Sequence, residues 1–370
     1  MSAWRQRRSV DRGLDSGPAR GKGAVTVDTK MDSPSEAPAS GDKGFLVAAF
    51  YKFVALDDLE EWTHRLKSWA VSGNVRGTVL IAQEGINGTI CGPEAGVRTF
   101  LGELRSHRYF ADLGAKLSWS QAQGFNRFKA RIKREIVTMG CPQVNPREVV
   151  GTYVAPRDWD ALIRDPETLV VDTRNNFEFE LGTFERAIDP LTKSFGEFPA
   201  WVERTLRPLI DEQKPKRLAL FCTGGIRCEK ATSFLLQAGF EGVHHLQGGI
   251  LQYLEDVEPG QGSFHGECFV FDQRVAVNEH LAPGTAVMCH ACRMPLRPSD
   301  LELAGYVEGV SCRHCVSMHT DERREGFAER ERQVALAASR GEDHLAQGFS
   351  GAKTKTAPSA QPATTPIAAG

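Results

Sequence analysis

The stretch Cys222-Thr223-Gly224-Gly225-Ile226-Arg227-Cys228-Glu229-Lys230 constrains the fold of this chain more than any other. It follows the apolar run RLALFC (217–222) and leads into EKATSFLLQAG, whose apolar residues recur at helical spacing. A strand ending at Cys222, two glycines that let the backbone curl, and a helix beginning around Ile226 to Cys228 form one strand–turn–helix unit. Backbone N–H groups in such a turn, with the positive end of the helix, make a cradle for anions. That field favours the thiolate of Cys222, the nucleophilic form of cysteine. Arg227 adds a fixed positive charge or receives an anionic sulfur donor. A buried, inert strand-end cysteine is the plain alternative, but it has no need of this glycine turn. Cys228 falls in the first helical turn, either facing Cys222 as a resolving thiol or packed inward, and spacing leaves both open.

The runs around this loop extend the pattern. TLVVDTR (168–174), RLALFC and GVHHLQ (242–247) read as short buried strands, and FPAWVERTLRPLI and EKATSFLLQAG as helices between them. The alternation predicts a parallel sheet covered by helices over residues 150–258, with functional groups at the carboxyl ends of its strands. Asp172 and Arg174 stand at another such end, where they organise the turn and pair with each other. Over residues 44–145 the order strand, helix, strand, strand, helix, strand predicts a ferredoxin-like α+β sandwich. A chain of 370 residues has room for more than one such domain. The expectation is therefore an α/β and α+β multidomain protein with a small Cys-rich module at 259–335. Residues 1–43 and 336–370 are rich in small, polar and charged residues, and both are expected to be disordered tails.

Two further patterns carry chemistry. Cys289-His290-Ala291-Cys292 and Cys312-Arg313-His314-Cys315 form a CxxC…CxxC pair, the spacing of a structural zinc site with four thiolates; iron accepts the same ligands. His290, His314 and His319 are nearby substitutes, although four sulfurs close a tetrahedron. In Arg127-Phe128-Lys129-Ala130-Arg131-Ile132-Lys133 the cations occupy every odd position, so a strand there has one basic and one apolar face. Cations in such a row repel one another, which suits a visiting polyanion, and nucleic-acid phosphate is the preferred one. The formal net charge of −2 means that such binding comes from a local patch. Nine cysteines without an apolar leader segment point to a reducing compartment, the cytoplasm. No run reaches the roughly 20 apolar residues that span a bilayer, so no membrane partner is expected.

The nucleophile loop resembles the C-x-x-G-x-R loop of rhodanese-like sulfurtransferases, where the first cysteine carries a persulfide, and DTRNNFEFELGTFERAI (172–188) is similar to a second motif of that superfamily. Together with LIAQEGINGTICG and GECFVFDQRVAV (266–277), these segments resemble the bacterial oxygen-dependent tRNA uridine(34) hydroxylases over about residues 45–325. That resemblance implies hydroxylation of the wobble uridine of tRNA at carbon 5, with molecular oxygen and an unidentified reductant as co-substrates. It implies tRNA and not DNA as partner, with Cys222 as the active cysteine. The chain shows no flavin fingerprint, haem motif or two-His-one-carboxylate set, so its residues do not explain how oxygen is activated; a sulfenic or peroxidic species on Cys222 is one hypothesis. A persulfide sulfurtransferase is the first alternative, and it leaves the basic strand without a task. A non-catalytic binding scaffold is the second, and it leaves Cys222 without one.

Overall fold

The computed structural model describes residues 44–340, so the expected tails at 1–43 and beyond 340 lie outside the described residues. The first unit runs β1 (Phe45–Phe53), α1 (Leu59–Ser72), β2 (Arg76–Ala82), β3 (Gly85–Gly92), α2 (Glu94–Arg105), β4 (Ala115–Ser120) and β5 (Phe128–Ile132). Its sheet order is β4-β1-β3-β2-β5, the expected sandwich with β5 added at the edge, parallel to β2. Helix α1 buries Trp62, Leu66 and Ala70, and α2 buries Val97, Phe100, Leu101 and Leu104, the three-to-four spacing of a one-sided helix. Both helices cover one face of the sheet, where Leu46, Ala48 and Phe50 of β1 join the core. Alternation then turns Val47, Ala49 and Tyr51 to the opposite face. That face is not covered by helices; it looks onto the second unit.

The second unit is β6 (Thr152–Val154), α3 (Pro156–Arg164), β7 (Thr168–Asp172), α4 (Asn176–Leu181), β8 (Gly182–Phe184), β9 (Ala187–Ile188), α5 (Phe198–Trp201), α6 (Arg207–Gln213), β10 (Arg217–Phe221), α7 (Ile226–Gln237), β11 (Val243–Leu246) and α8 (Gly249–Asp256). Strands β6-β11-β10-β7-β9 form the expected parallel sheet, with an apolar cluster on each side. The segment FPAWVERTLRPLI, expected as one helix, is α5, a π-helical turn at Val202–Leu206, and then α6. Pro208 lacks the N–H that a continuous α-helix would direct at residue 204, so the ladder breaks there.

The third unit is loop-rich. Strand β12 (Phe264–Gly266) pairs with β8, β13 (Cys268–Phe269) with β14 (Ala276–Val277), and β15 (Val287–Met288) with β16 (Pro295–Leu296). A charged helix, α9 (Asp321–Ser339), follows and continues past 335. The loop between β13 and β14 reaches the first unit: Arg274 Nη1 donates to Ser118 Oγ at 2.8 Å, and Gln273 Nε2 to Asn126 Oδ1 at 2.9 Å.

A buried ion cluster fastens the first two units. The Lys230 ammonium, on the first turn of α7, donates to both Glu84 carboxylate oxygens at 2.9 and 2.8 Å and to Glu135 Oε2 at 2.6 Å. Glu84 lies between β2 and β3, and Glu135 just beyond β5. Lys230 is fully buried, so removing it strands carboxylates that its charge now satisfies. The Lys230→Ala variant is expected to lose about 3–5 kcal/mol in chemical denaturation, the cost of breaking a buried ion pair from one side. A loss below 1 kcal/mol would show the cluster to be energetically idle.

Candidate active site

Three parallel strands deliver their carboxyl ends to the place where the first two units meet. Strand β10 ends at Phe221, Cys222 follows it directly, and α7 begins four residues later at Ile226. The turn works because Gly225 adopts φ 102°, where a side chain would be strained and its Cβ would lie 2.7 Å from the Tyr51 hydroxyl. Gly249 (φ 67°), at the start of α8, is held as closely, since a Cβ there would meet the Cys222 carbonyl at 2.4 Å. The Ile250 N–H donates to that carbonyl at 2.9 Å, so α8 clamps the nucleophile loop from behind.

The sulfur of Cys222 is out of contact with solvent and accepts the Gly225 N–H at 3.1 Å. Burial opposes its ionisation. The Cys228 thiol, the Arg227 charge and the backbone N–H groups of Cys228 and Gly225 outweigh burial, and bring the Cys222 thiol down to about 5. These partners favour the thiolate form of Cys222. Cys228 faces it: burial and then the Cys222 charge hold the Cys228 thiol well above its ordinary range, and its sulfur lies 3.6 Å from Thr173 Oγ1. The two readings the spacing left open are not exclusive here: Cys228 hydrogen-bonds Cys222 and is also fully buried in an apolar cluster of the second unit.

Arg227 is committed elsewhere. Its Nη1 and Nη2 donate to the two oxygens of Glu178 at 2.6 and 2.7 Å, and both side chains are buried. The guanidinium is therefore a fixed charge beside Cys222 and not an open receptor for an anionic donor. Thr223 directs its hydroxyl at the same carboxylate, 3.4 Å away. Gly224 and Ile226 line the space in front of the sulfur. Asp172 and Arg174 do the bracing the sequence suggested. Arg174 Nη2 donates to Asp172 Oδ2 at 2.7 Å and to the Gly182 carbonyl at 2.6 Å, and both residues are fully buried.

In front of Cys222 opens a cavity of about 890 Å³, walled by all three units. Tyr51 and Lys116 come from the uncovered face of the first sheet, Glu229 and Tyr153 from the second unit, and Phe271 from the β13–β14 loop. Its size suits a nucleotide-sized guest. The Lys116 ammonium donates to the Gly248 carbonyl; burial lowers its pKa to about 8, against the pull of the Cys222 charge. Tyr51, Lys116, Glu178, Glu229 and Phe271 escape a reading of spacing, because each reaches the site from a different element. Glu178 and Glu229 lie within motif segments, yet nothing local marks their carboxylates.

The other candidate sites separate from this one. The sulfur atoms of Cys289, Cys292, Cys312 and Cys315 all lie within 4.8 Å of one another, a group able to hold a metal ion. The Cys292–Cys312 and Cys312–Cys315 sulfurs are 3.6 and 3.8 Å apart. Four thiolates at the usual 2.3 Å around zinc stand about 3.8 Å from one another, so the set fits a closed tetrahedral ion with no histidine required. On β5, Phe128 and Ala130 pack toward the core while Lys129 is half-buried and Arg131 exposed. The alternation fails at Ile132, which is 42% exposed because the strand ends there. Arg127 and Lys133 flank the strand. The Lys129 ammonium pKa is lowered by burial first, then by Arg127, Arg131 and Arg293, the last a residue of the first cysteine knuckle.

Comparison with known proteins matches residues 45–136 to the UPF0176 acylphosphatase-like domain and residues 155–256 to the rhodanese-like domain. The chain is 52% identical over 306 residues to a tRNA uridine(34) hydroxylase of Synechococcus sp., covering 81% of this chain and 94% of the relative. It is 53% identical over 309 residues to the same-named protein of Parasynechococcus marenigrum, with 82% and 96% covered. For that of Sinorhizobium fredii the figures are 52% over 301 residues, 81% and 95%.

The depressed Cys222 pKa has a direct readout. Alkylation of Cys222 by iodoacetamide, followed site by site with peptide mass spectrometry, should run at its plateau from pH 8 down to about pH 6 and fall with a midpoint near 5. Removing the Cys228 thiol (Cys228→Ala) should move that midpoint upward. A wild-type midpoint above 8 would mean an ordinary buried thiol.

Proposed function

This chain belongs to the tRNA uridine(34) hydroxylase family, and on that premise we propose how its site performs the reaction. It is a tRNA-modifying oxidoreductase that hydroxylates the wobble uridine. The observation that carries the mechanistic reading is the Cys222 thiolate at the floor of a nucleotide-sized cavity. The anticodon loop is single-stranded, so uridine 34 can leave its stack and enter such a cavity. Carbon 6 of uracil is electrophilic, because its double bond to carbon 5 is conjugated with the carbonyl at carbon 4. Cys222, as thiolate, forms a bond to carbon 6, and the displaced electron pair makes carbon 5 a nucleophile toward molecular oxygen. A two-electron reductant cleaves the O–O bond: one oxygen leaves as water and the other stays as the 5-hydroxyl. Loss of the carbon 5 proton then restores the double bond and expels the Cys222 thiolate. This assignment uses the thiolate that the loop stabilises and requires no oxidised sulfur.

Persulfide transfer would use the same loop but leave the first unit's side chains in the cavity idle, and family membership sets it aside. The basic strand, with Arg127, Lys129, Arg131 and Lys133, is our proposed contact for tRNA phosphates, supported by the closely spaced cations that, after burial, lower the Lys129 ammonium pKa. Zinc is our proposed ion for the four cysteines, supported by the sulfur spacing; it would be closed to substrate and would hold the third unit together. Among the described residues no helix is long and apolar enough to cross a membrane, and a cytoplasmic enzyme is the reading consistent with a tRNA substrate.

Mass spectrometry of tRNA nucleosides from cells lacking the gene tests the central assignment. The wild-type gene should restore 5-hydroxyuridine-derived wobble bases, and Cys222→Ala should not; restoration by that variant would end the nucleophile reading. For the basic strand, removing the charges of Arg127, Lys129 and Arg131 should weaken tRNA binding and reduce the slope of log K against log salt by about two to three. An unchanged slope would place the tRNA elsewhere. Metal analysis of the purified chain should return one zinc, and iron instead would correct the ion.

A further inference from the structure

Glu229 is a partly buried carboxylate that the steps above leave without a task. It stands on the first turn of α7, directly after Arg227 and Cys228, and lines the cavity with Cys222. The other buried carboxylates nearby are matched with cations: Glu178 with Arg227, and Glu135 with Lys230. Glu229 is instead held by hydroxyls. The Tyr51 O–H, from the first unit, donates to Glu229 Oε1 at 2.8 Å, and the Tyr153 hydroxyl bonds the same carboxylate. Phenol donors orient a carboxylate without neutralising it, which leaves it able to take a proton.

We infer that Glu229 is the general base of the reaction, taking the proton from carbon 5 of the uridine, with Tyr51 as its positioning residue. The inference rests on Cys222 adding to carbon 6. In the last step the C5–H bond breaks, the proton goes to Glu229, the electron pair forms the C5=C6 bond, and the C6–S bond breaks to return the thiolate. Without oxygen the same pair performs a futile cycle. A proton from cavity water adds to the face of carbon 5 that oxygen would take, Glu229 removes the original hydrogen from the other face, and the uridine exchanges its 5-hydrogen with solvent. The electrostatics agree: burial raises the Glu229 carboxyl, the two tyrosine hydrogen bonds lower it, the Cys222 charge raises it, and it settles at about 7. A group near neutrality is available in both protonation states.

The test is anaerobic hydrogen–deuterium exchange at carbon 5 of uridine 34. Unmodified tRNA is incubated with the full-length protein in deuterated buffer and read by nucleoside mass spectrometry. Wild-type protein should label uridine 34, Cys222→Ala should not, and Glu229→Gln should label at least about 100-fold more slowly. Glu229→Gln should at the same time bind tRNA normally and keep Cys222 alkylation at neutral pH, readouts that a merely structural tie between the units would disturb. Exchange within threefold of wild type in Glu229→Gln overturns the inference while Cys222 keeps its role. Exchange that persists in Cys222→Ala, or is absent from the wild type, overturns both. If Glu229→Gln does not bind tRNA, Glu229→Asp keeps the charge, withdraws it by one methylene, and decides the question by the same rate.

Discussion

Four consecutive residues on the first turn of α7 hold this molecule together around its reactive sulfur. Arg227 pairs with Glu178 of the second unit, Cys228 turns toward Cys222, Glu229 accepts the Tyr51 hydroxyl, and Lys230 reaches Glu84 and Glu135. One helical turn thus sends side chains in every direction, two of them into the first unit. Because that turn begins directly after the glycine loop, any shift between the units moves the surroundings of Cys222. The site is built at a joint, and the joint is electrostatic.

Burial sets the terms for each ionisable group there. It raises thiols and carboxyls and lowers ammonium groups, and the local partners decide what survives. Cys222 has backbone N–H groups, a thiol donor and a nearby guanidinium, so it becomes a thiolate despite burial. Cys228, six residues on, has that thiolate as its neighbour and stays protonated. Glu178 has Arg227 and stays ionised, whereas Glu229 has only hydroxyls and rises toward neutrality. Groups of one chemical kind are driven apart in proton affinity within a single cavity, which is what acid–base work on a bound nucleotide requires.

The third unit adds a wall where the first two leave a gap. Its β13–β14 loop pairs Arg274 with Asp272 and reaches Ser118, and that arrangement carries Phe271 over the cavity beside Arg227. The cysteine group lies farther along the same unit and touches no reacting residue. Its knuckle geometry follows from backbone bonds, with the Arg293 N–H donating to the Cys289 carbonyl at 2.8 Å and the Cys315 N–H to the Cys312 carbonyl at 3.0 Å. A metal there would stabilise a unit whose strands are too short to build a core.

What could be read from the amino acids alone was whatever is local. The turn after Cys222, the Asp172–Arg174 pair, the cysteine spacing and the alternation through Phe128 and Ala130 each follow from residues a few positions apart, where backbone geometry dictates who is neighbour to whom. Period-two geometry also dictates that on β1 Tyr51 points away from Phe50. It could not state what Tyr51 would meet. The partner, Glu229, is 178 positions away, Glu178 and Arg227 are 49 apart, and Lys230 and Glu135 are 95 apart. Those pairings depend on how one sheet is laid against another, and that is decided by the packing of both cores at once. The sequence by itself marked Cys222 and its glycine turn; the tertiary structure alone supplied the cavity in front of it and the carboxylate beside it, because sequence periodicity specifies faces and not the surfaces they come to oppose.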